Sequence, residues 1–155
     1  MSYSVRLLIC QFLIYFVSVA GYGQETKNVD WQFRATTVSR DEVSVTISGT
    51  IEPGWHLYSQ NIKEGGPIPT RITFENQNAF LLIGNTSEKG RPVIVHDEIY
   101  EMDVTWYTGT VIFSQKIKFL HPLGEIHGKI DYMTCNDYSC LPDQKLFTIK
   151  ILDPK

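Results

Sequence analysis

Residues 43–48 read Val43-Ser44-Val45-Thr46-Ile47-Ser48. In an extended chain successive side chains point to opposite faces, so this stretch puts three branched apolar groups on one side and three hydroxyls on the other. The pattern returns twice. Val111, Phe113, Ile117 and Phe119 oppose Ser114, Lys116 and Lys118; Phe147, Ile149 and Ile151 alternate with Thr148 and Lys150. One dry face and one wet face is the signature of antiparallel sheets. Further strand candidates are Trp31–Val38, Trp55–Tyr58, Arg71–Phe74, Phe80–Ile83, Tyr100–Tyr107 and Lys129–Cys135, all rich in β-branched and aromatic residues. Turn formers separate them: Ser39-Arg40-Asp41, Glu52-Pro53-Gly54, Glu75-Asn76-Gln77-Asn78, Thr108-Gly109 and His121-Pro122-Leu123-Gly124. No amphipathic helix and no internal repeat is visible. About eight or nine short strands predict an all-β chain, a sandwich with Greek-key connections. Asn61 to Pro69, Asn-Ile-Lys-Glu-Gly-Gly-Pro-Ile-Pro, reads as a loop whose composition demands no chemistry.

Composition removes several function classes. With 14 Lys plus Arg against 17 Asp plus Glu in 155 residues, the formal charge is -3, without the basic excess of a nucleic-acid binder. At 43% apolar and 20% charged residues, the chain can bury a core and is not disordered. Three cysteines are too few for a disulfide-stapled miniature domain.

The N-terminal residues 1–23 carry Arg6 as their only charge, then an apolar run from Leu7 to Ala20, then small residues. This is the layout of a secretory signal peptide, with cleavage expected after Ala20 or, preferably, after Gly23. The run falls short of the roughly 20 residues of a spanning helix. Cys10 lies inside it and is expected to leave with it. The remaining domain, 24–155, has 132 residues, a charge of -4 and two cysteines, Cys135 and Cys140. Export would place them in an oxidising or redox-managed compartment.

Four residues, Asn136-Asp137-Tyr138-Ser139, separate the pair. Fully extended, the two Cα atoms would stand about 16 Å apart, whereas a disulfide needs them within about 7 Å. If the pair is bonded, the chain must reverse between them, and Asn, Asp and Ser are residues that reverse chains. Leu141-Pro142 is then expected to interrupt regular pairing. Closing so small a loop adds only about 2 kcal/mol on the chain-entropy account. A structural staple and a redox switch both remain open on these grounds, and Cys-x-x-Cys spacing within a βαβ pattern is absent. A metal site is the third option. His56, His96, His121 and His127 could join two thiolates, but their spacings do not match zinc sites; no metal and no cofactor is expected.

The run Tyr132-Met133-Thr134-Cys135-Asn136-Asp137-Tyr138-Ser139-Cys140-Leu141-Pro142 resembles the active-site strand and loop of the N-terminal periplasmic domain of DsbD-type thiol:disulfide interchange proteins. Gly54-Trp55-His56-Leu57-Tyr58 is similar to the family's site-lining strand, Asp97-Glu98-Ile99-Tyr100 to its Asp-Glu-Phe-Tyr cap loop, and Gly65-Gly66-Pro67 to a segment of bacterial relatives. The resemblance implies an immunoglobulin-like β-sandwich in the periplasm with a redox-active disulfide. It further implies reducing equivalents arriving from a thioredoxin-like protein or domain, itself reduced by a membrane electron-transfer protein. They would pass to exported thiol-disulfide proteins, including those of cytochrome c biogenesis. Because the chain ends at Lys155, the donor is expected to act in trans. Three positions depart from the family: four residues rather than five lie between the cysteines, Ile99 replaces a phenylalanine, and Asp143 stands where a second proline is common.

By family position Cys140 forms the mixed disulfide and Cys135 resolves it. Asp97, Glu98, Ile99 and Tyr100 would cap the sulfurs, and His56 and Tyr58 would line the site. Acidic neighbours and apolar cover both disfavour a thiolate, which would slow exchange until the cap opens. Two function classes stay open: a thiol:disulfide oxidoreductase relay, and a non-catalytic sandwich module with a permanent disulfide. Tyr58 could equally be ordinary core, Asp97 and Glu98 a solvated pair, and His56 a rim residue.

Overall fold

A computed structural model of the protein describes residues 27–75, 78–121 and 124–151. The expected signal segment 1–23, with Cys10, and the turn residues 76–77 and 122–123 lie outside the described residues. Those described form ten strands and no helix: β1 Val29–Thr37, β2 Glu42–Ile51, β3 His56–Tyr58, β4 Arg71–Phe74, β5 Phe80–Lys89, β6 Pro92–Asp97, β7 Met102–Tyr107, β8 Thr110–Phe119, β9 Glu125–Cys135 and β10 Cys140–Lys150. All pairings are antiparallel. One sheet runs β1-β2-β8-β5; the other runs β10-β9-β3-β7-β6, with β4 also paired to β9. The result is an immunoglobulin-like sandwich.

The alternating residues do what their pattern predicts. Val43, Val45 and Ile47 of β2, Val111, Phe113 and Ile117 of β8, and Phe147 and Ile149 of β10 are buried between the sheets with Ile126, Ile130 and Tyr132 of β9. Trp31 of β1 fills the middle, tilted against Phe113 and edge-on to Tyr132. Gly49 lies beneath its ring; a Cβ there would come within 2.8 Å of Trp31 Cζ3.

Three elements differ from the sequence expectation. The first is β6, absent from it: Val93-Ile94-Val95 is short and opens on a proline, which an edge strand accommodates. The second is β5, which continues past Ile83 to Lys89 because its register shifts between Ile83 and Ser87. Gly84 there takes a positive φ of 69°. Buried Gln115 stitches the irregularity, its Nε2 donating to the carbonyls of Ile83 and Lys116 and its Oε1 accepting from Thr86 Oγ1. The third is β10, which runs straight through Leu141-Pro142, paired with Thr134 and Met133. The expected interruption fails for a geometric reason. Asn136 N–H bonds to Ser139 C=O, so Cys135–Cys140 is a non-hydrogen-bonded pair and, two residues on, so is Met133–Pro142. The missing N–H of Pro142 therefore faces the open edge and costs the ladder nothing.

The β10-β9-β3-β7-β6 sheet has a second apolar layer on its outer face. Tyr58, Val104, Met133 and Cys135 are buried there, with Ile62, Val95, Met102 and Trp106 packed against them. Residues 60–69 help cover it, pinned at their neck by Thr70, whose N–H donates to Ser59 C=O and whose hydroxyl donates to Tyr58 C=O at 2.6 Å. Gly66 lets this loop close on Ile62 and Met102.

Glu88 of β5 anchors the loop from the opposite sheet. Its carboxylate accepts from Ser59 Oγ, from Gln60 N–H at 2.9 Å and from Asn61 Nδ2 at 2.8 Å. Hydrogen bonds to a charged group each contribute about 1.5–3 kcal/mol, and they share one acceptor here. Glu88→Ala is expected to lower the urea-unfolding free energy by about 2 kcal/mol or more and to speed amide exchange across residues 60–69; unchanged exchange there would separate the loop from this anchor.

Candidate functional site

Cys135 and Cys140 are disulfide-bonded, with Cα atoms 4.1 Å apart. They close a four-residue hairpin loop as directly opposed residues of β9 and β10. Asn136 builds the loop: its Oδ1 accepts from the backbone N–H groups of Tyr138 and Ser139, both at 2.8 Å. The chain reversal expected of these residues is thus an Asx turn. The two sulfur positions are unequal. Cys135 is 2% exposed, within the outer apolar layer; Cys140 is exposed, flanked by Tyr138 at 94% exposure and Leu141 at 40%.

His56 of β3 stands directly opposite Cys135. Neighbouring strands therefore carry Cys140, Cys135 and His56 in one row on the same face. The imidazole stacks on Trp106, centroids 4.1 Å apart, and meets Tyr58 edge-on at 5.4 Å. Its Nε2 is buried with no hydrogen-bond partner among the described residues. Burial pushes the imidazole below its ordinary value of 6.5, partly offset by Asp137 and Asp97. Tyr58 is buried in the outer layer rather than the sandwich core; desolvation, with Asp97 and Tyr100 nearby, pushes its phenol up to about 12.

Residues 98–101 connect β6 to β7. Asp97 Oδ1 accepts from the N–H groups of Ile99 at 2.9 Å and Tyr100 at 3.2 Å, and Glu101 closes the turn at φ 51°. Asp97 and Tyr100 are half-buried, Glu98 exposed. Ile99 departs from the expected cover role. It is 87% exposed, because the turn locked by Asp97 carries it at its outer tip.

The sequence does not single out Trp106 or Met102 as part of this region, and residues 61–69 read there as a loop without chemistry. A signal existed: burial alternates along β9 up to Ile130, then Tyr132, Met133, Thr134 and Cys135 are all buried. A run apolar in both parities marks a strand covered on both faces. Asp143, the departure from the family's second proline, accepts from Tyr132 Oη at 2.8 Å and satisfies that half-buried hydroxyl. Among the described residues no group of three or more His, Cys, Asp or Glu could hold a metal ion. The other histidines are dispersed: His96 bonds to Asp103 and His127 to Thr148.

The fold and the bonded pair define a β-sandwich disulfide domain. The family model described as "Thiol:disulfide interchange protein DsbD, N-terminal" matches residues 24–150, and the chain belongs to that family. No curated protein matches the chain. Among solved structures, the N-terminal periplasmic domain of ScsB from Proteus mirabilis aligns with a TM-score of 0.64 at 17% identity, over 84% of this chain. The chain spans about half, 49%, of that relative's length. The reduced DsbD N-terminal domain of Neisseria meningitidis gives 0.49 at 20% identity, covering 80% of this chain and 86% of its own. The complex of the Neisseria meningitidis DsbD and PilB N-terminal domains gives 0.46 at 16%, covering 76% and 80%. Among the described residues no helix is long and apolar enough to cross a membrane.

The depressed His56 value has a consequence for stability. Below about pH 6.5 the unfolded chain binds a proton at this position that the folded chain resists, so the unfolded state gains protons and stability falls as pH drops. The loss begins near 6.5 and is complete once pH passes the lower folded value. Melting temperature should therefore fall more between about pH 7.5 and about pH 5.5 in the wild type than in His56→Phe; equal slopes would remove His56 from the balance.

The disulfide itself should contribute little. Closing a six-residue ring adds about 2 kcal/mol at most on the chain-entropy account. The reduced domain is expected to unfold cooperatively in urea at a slightly lower midpoint, and loss of cooperative unfolding on reduction would mark the bond as a structural staple.

Proposed function

We propose that this domain is a periplasmic thiol:disulfide exchange relay, exported by the 1–23 signal segment, working through Cys135 and Cys140. One observation carries the reading: within a family of thiol:disulfide interchange domains, one sulfur is buried in a sheet layer and its partner is open to solvent. Access to the attacked sulfur is one of the factors that set exchange rates. A donor thiolate attacks Cys140 Sγ, the S–S bond breaks, and the electron pair leaves on Cys135, which takes up a proton. The donor's second thiol then displaces Cys140, leaving the domain reduced and the donor oxidised. Run toward an oxidised acceptor, Cys140 attacks and Cys135 resolves.

The donor is a thioredoxin-like protein or domain served by a membrane electron carrier; the acceptors are exported thiol-disulfide proteins, with cytochrome c maturation among their pathways. These follow from the family resemblance. Exposed Tyr138 and Leu141 beside the open sulfur support docking of a partner with an apolar active-site rim. The Asp97–Tyr100 turn would regulate access from one side by moving with its partner, its acidic pair disfavouring an unpartnered thiolate.

Single-cysteine trapping tests the roles. A thioredoxin variant keeping only its attacking cysteine, activated as an aryl mixed disulfide, should be captured by Cys135→Ser through Cys140 and scarcely at all by Cys140→Ser. Capture by neither variant would overturn the exchange function; capture by Cys140→Ser alone would reverse the roles.

A further inference from the structure

We propose that His56 takes the thiol proton of Cys135 when that sulfur resolves a mixed disulfide held on Cys140. This rests on the exchange function above and assigns a residue to its buried half.

The geometry has three parts. First, β10, β9 and β3 are consecutive in the sheet, and the registers Cys140–Cys135 and Cys135–His56 put the three side chains on one face. Directly opposed residues hold their Cβ atoms about 5 Å apart, so the imidazole, which stacks on Trp106 in the oxidised state, needs only a side-chain rotation to meet a thiol on Cys135. Second, Nε2 of His56 is buried and unpartnered in the oxidised state, where Cys135 has no proton to give. Reduction creates an S–H donor on the residue opposite, and a buried polar atom left unpaired is costly. Third, Cys135 is 2% exposed, so bulk water is a poor acceptor for its proton.

The other groups facing this position are less suited. Asp97 Oδ1 is engaged by two backbone N–H groups, and Asp137 lies on the exposed loop. Tyr58, with its phenol pushed up to about 12, stays protonated. Tyr100 stands at the cap turn, nearer Tyr58. His56 is held below its ordinary value by burial, so at neutral pH it is the unprotonated, accepting form. The step balances within the site. Cys135 S–H gives its proton to His56 and its sulfur bonds to Cys140 Sγ. The Cys140–S bond to the acceptor breaks, and the acceptor leaves as a thiolate. The imidazolium then releases the proton to that thiolate or to water.

Glutathione disulfide serves as probe with the full chain. Reduced protein is mixed with it, quenched in acid at intervals, and the Cys140–glutathione adduct is followed by mass. In the wild type the rate of adduct resolution should be level above about pH 7, where the imidazole is already neutral. In His56→Phe resolution should slow roughly tenfold or more near neutral pH, with adduct accumulating while its rate of formation stays within about twofold. The gap should close toward the ordinary thiol value of about 8.5. His56→Gln, polar but not basic, should behave like His56→Phe. Equal resolution rates in either folded variant overturn the proposal. So does a wild-type rate that climbs about tenfold per pH unit up to about 8.5, the signature of simple thiol ionisation, and this needs no variant to fold. Failure to form any adduct on Cys140 would instead overturn the exchange function.

Discussion

From Tyr132 to Cys135 strand β9 is covered on both sides, and the arrangement of the site depends on that double burial. Tyr132 and Trp31 meet in the sandwich core, while Met133 and Cys135 turn outward into a second layer built by Tyr58, Val104 and Trp106. An ordinary sandwich sheet wets its outer face. Here the outer face is dry where the cysteine lies, because residues 60–69 cross it and are tied to the opposite sheet through Glu88. The disulfide therefore stands at the boundary between a packed layer and solvent, with one sulfur on each side.

That boundary explains how a rigid fold can host exchange chemistry. The position of Cys135 is fixed by pairing to strands on both flanks, β10 and β3. Cys140 starts an edge strand, and its outer neighbours are a hairpin loop and a proline. Breaking the bond asks little of the ladder, since the pair is non-hydrogen-bonded and the loop keeps its own Asn136 bonds. A four-residue loop closed by an Asx turn thus suffices where a longer loop is common in the family, because the register, and not the loop, brings the sulfurs together.

The sandwich was legible wherever one face of a strand is wet: Val43–Ser48, Val111–Phe119 and Phe147–Ile151 read correctly because period two separates their faces. Pattern reading weakened where that separation breaks down. The Pro92–Asp97 edge strand is too short and too apolar to alternate clearly; β5 hides its continuation behind a glycine irregularity. Pro142 reads as a break because sequence does not say which way its missing N–H points. At the site, family motifs singled out the two cysteines, Asp97, His56 and Tyr58, and the register sets Cys140, Cys135 and His56 in one row. Their cover is not legible: Ile62 and Met102 are distant in sequence and meet only through loop closure, and Ile99, apolar and in the expected place, is carried outward in a turn held by the Asp97 carboxylate.

His56 shows what such a layer does to a polar substitution. The imidazole packs as an aromatic ring would: it stacks on Trp106 and meets Tyr58 edge-on. A phenyl group there would be inert. An imidazole brings a polar nitrogen into a place with no partner among the described residues, and burial discourages the charged form that would be tolerated in water. The unpaired nitrogen is an expense only while its neighbour on β9 has no proton to share. Oxidised, the cysteine pair leaves that nitrogen unsatisfied; reduced, it can supply the missing donor. The same atom that weakens the oxidised layer thereby favours the protonated thiol of the reduced one, which couples the packing of β3 to the redox state of β9.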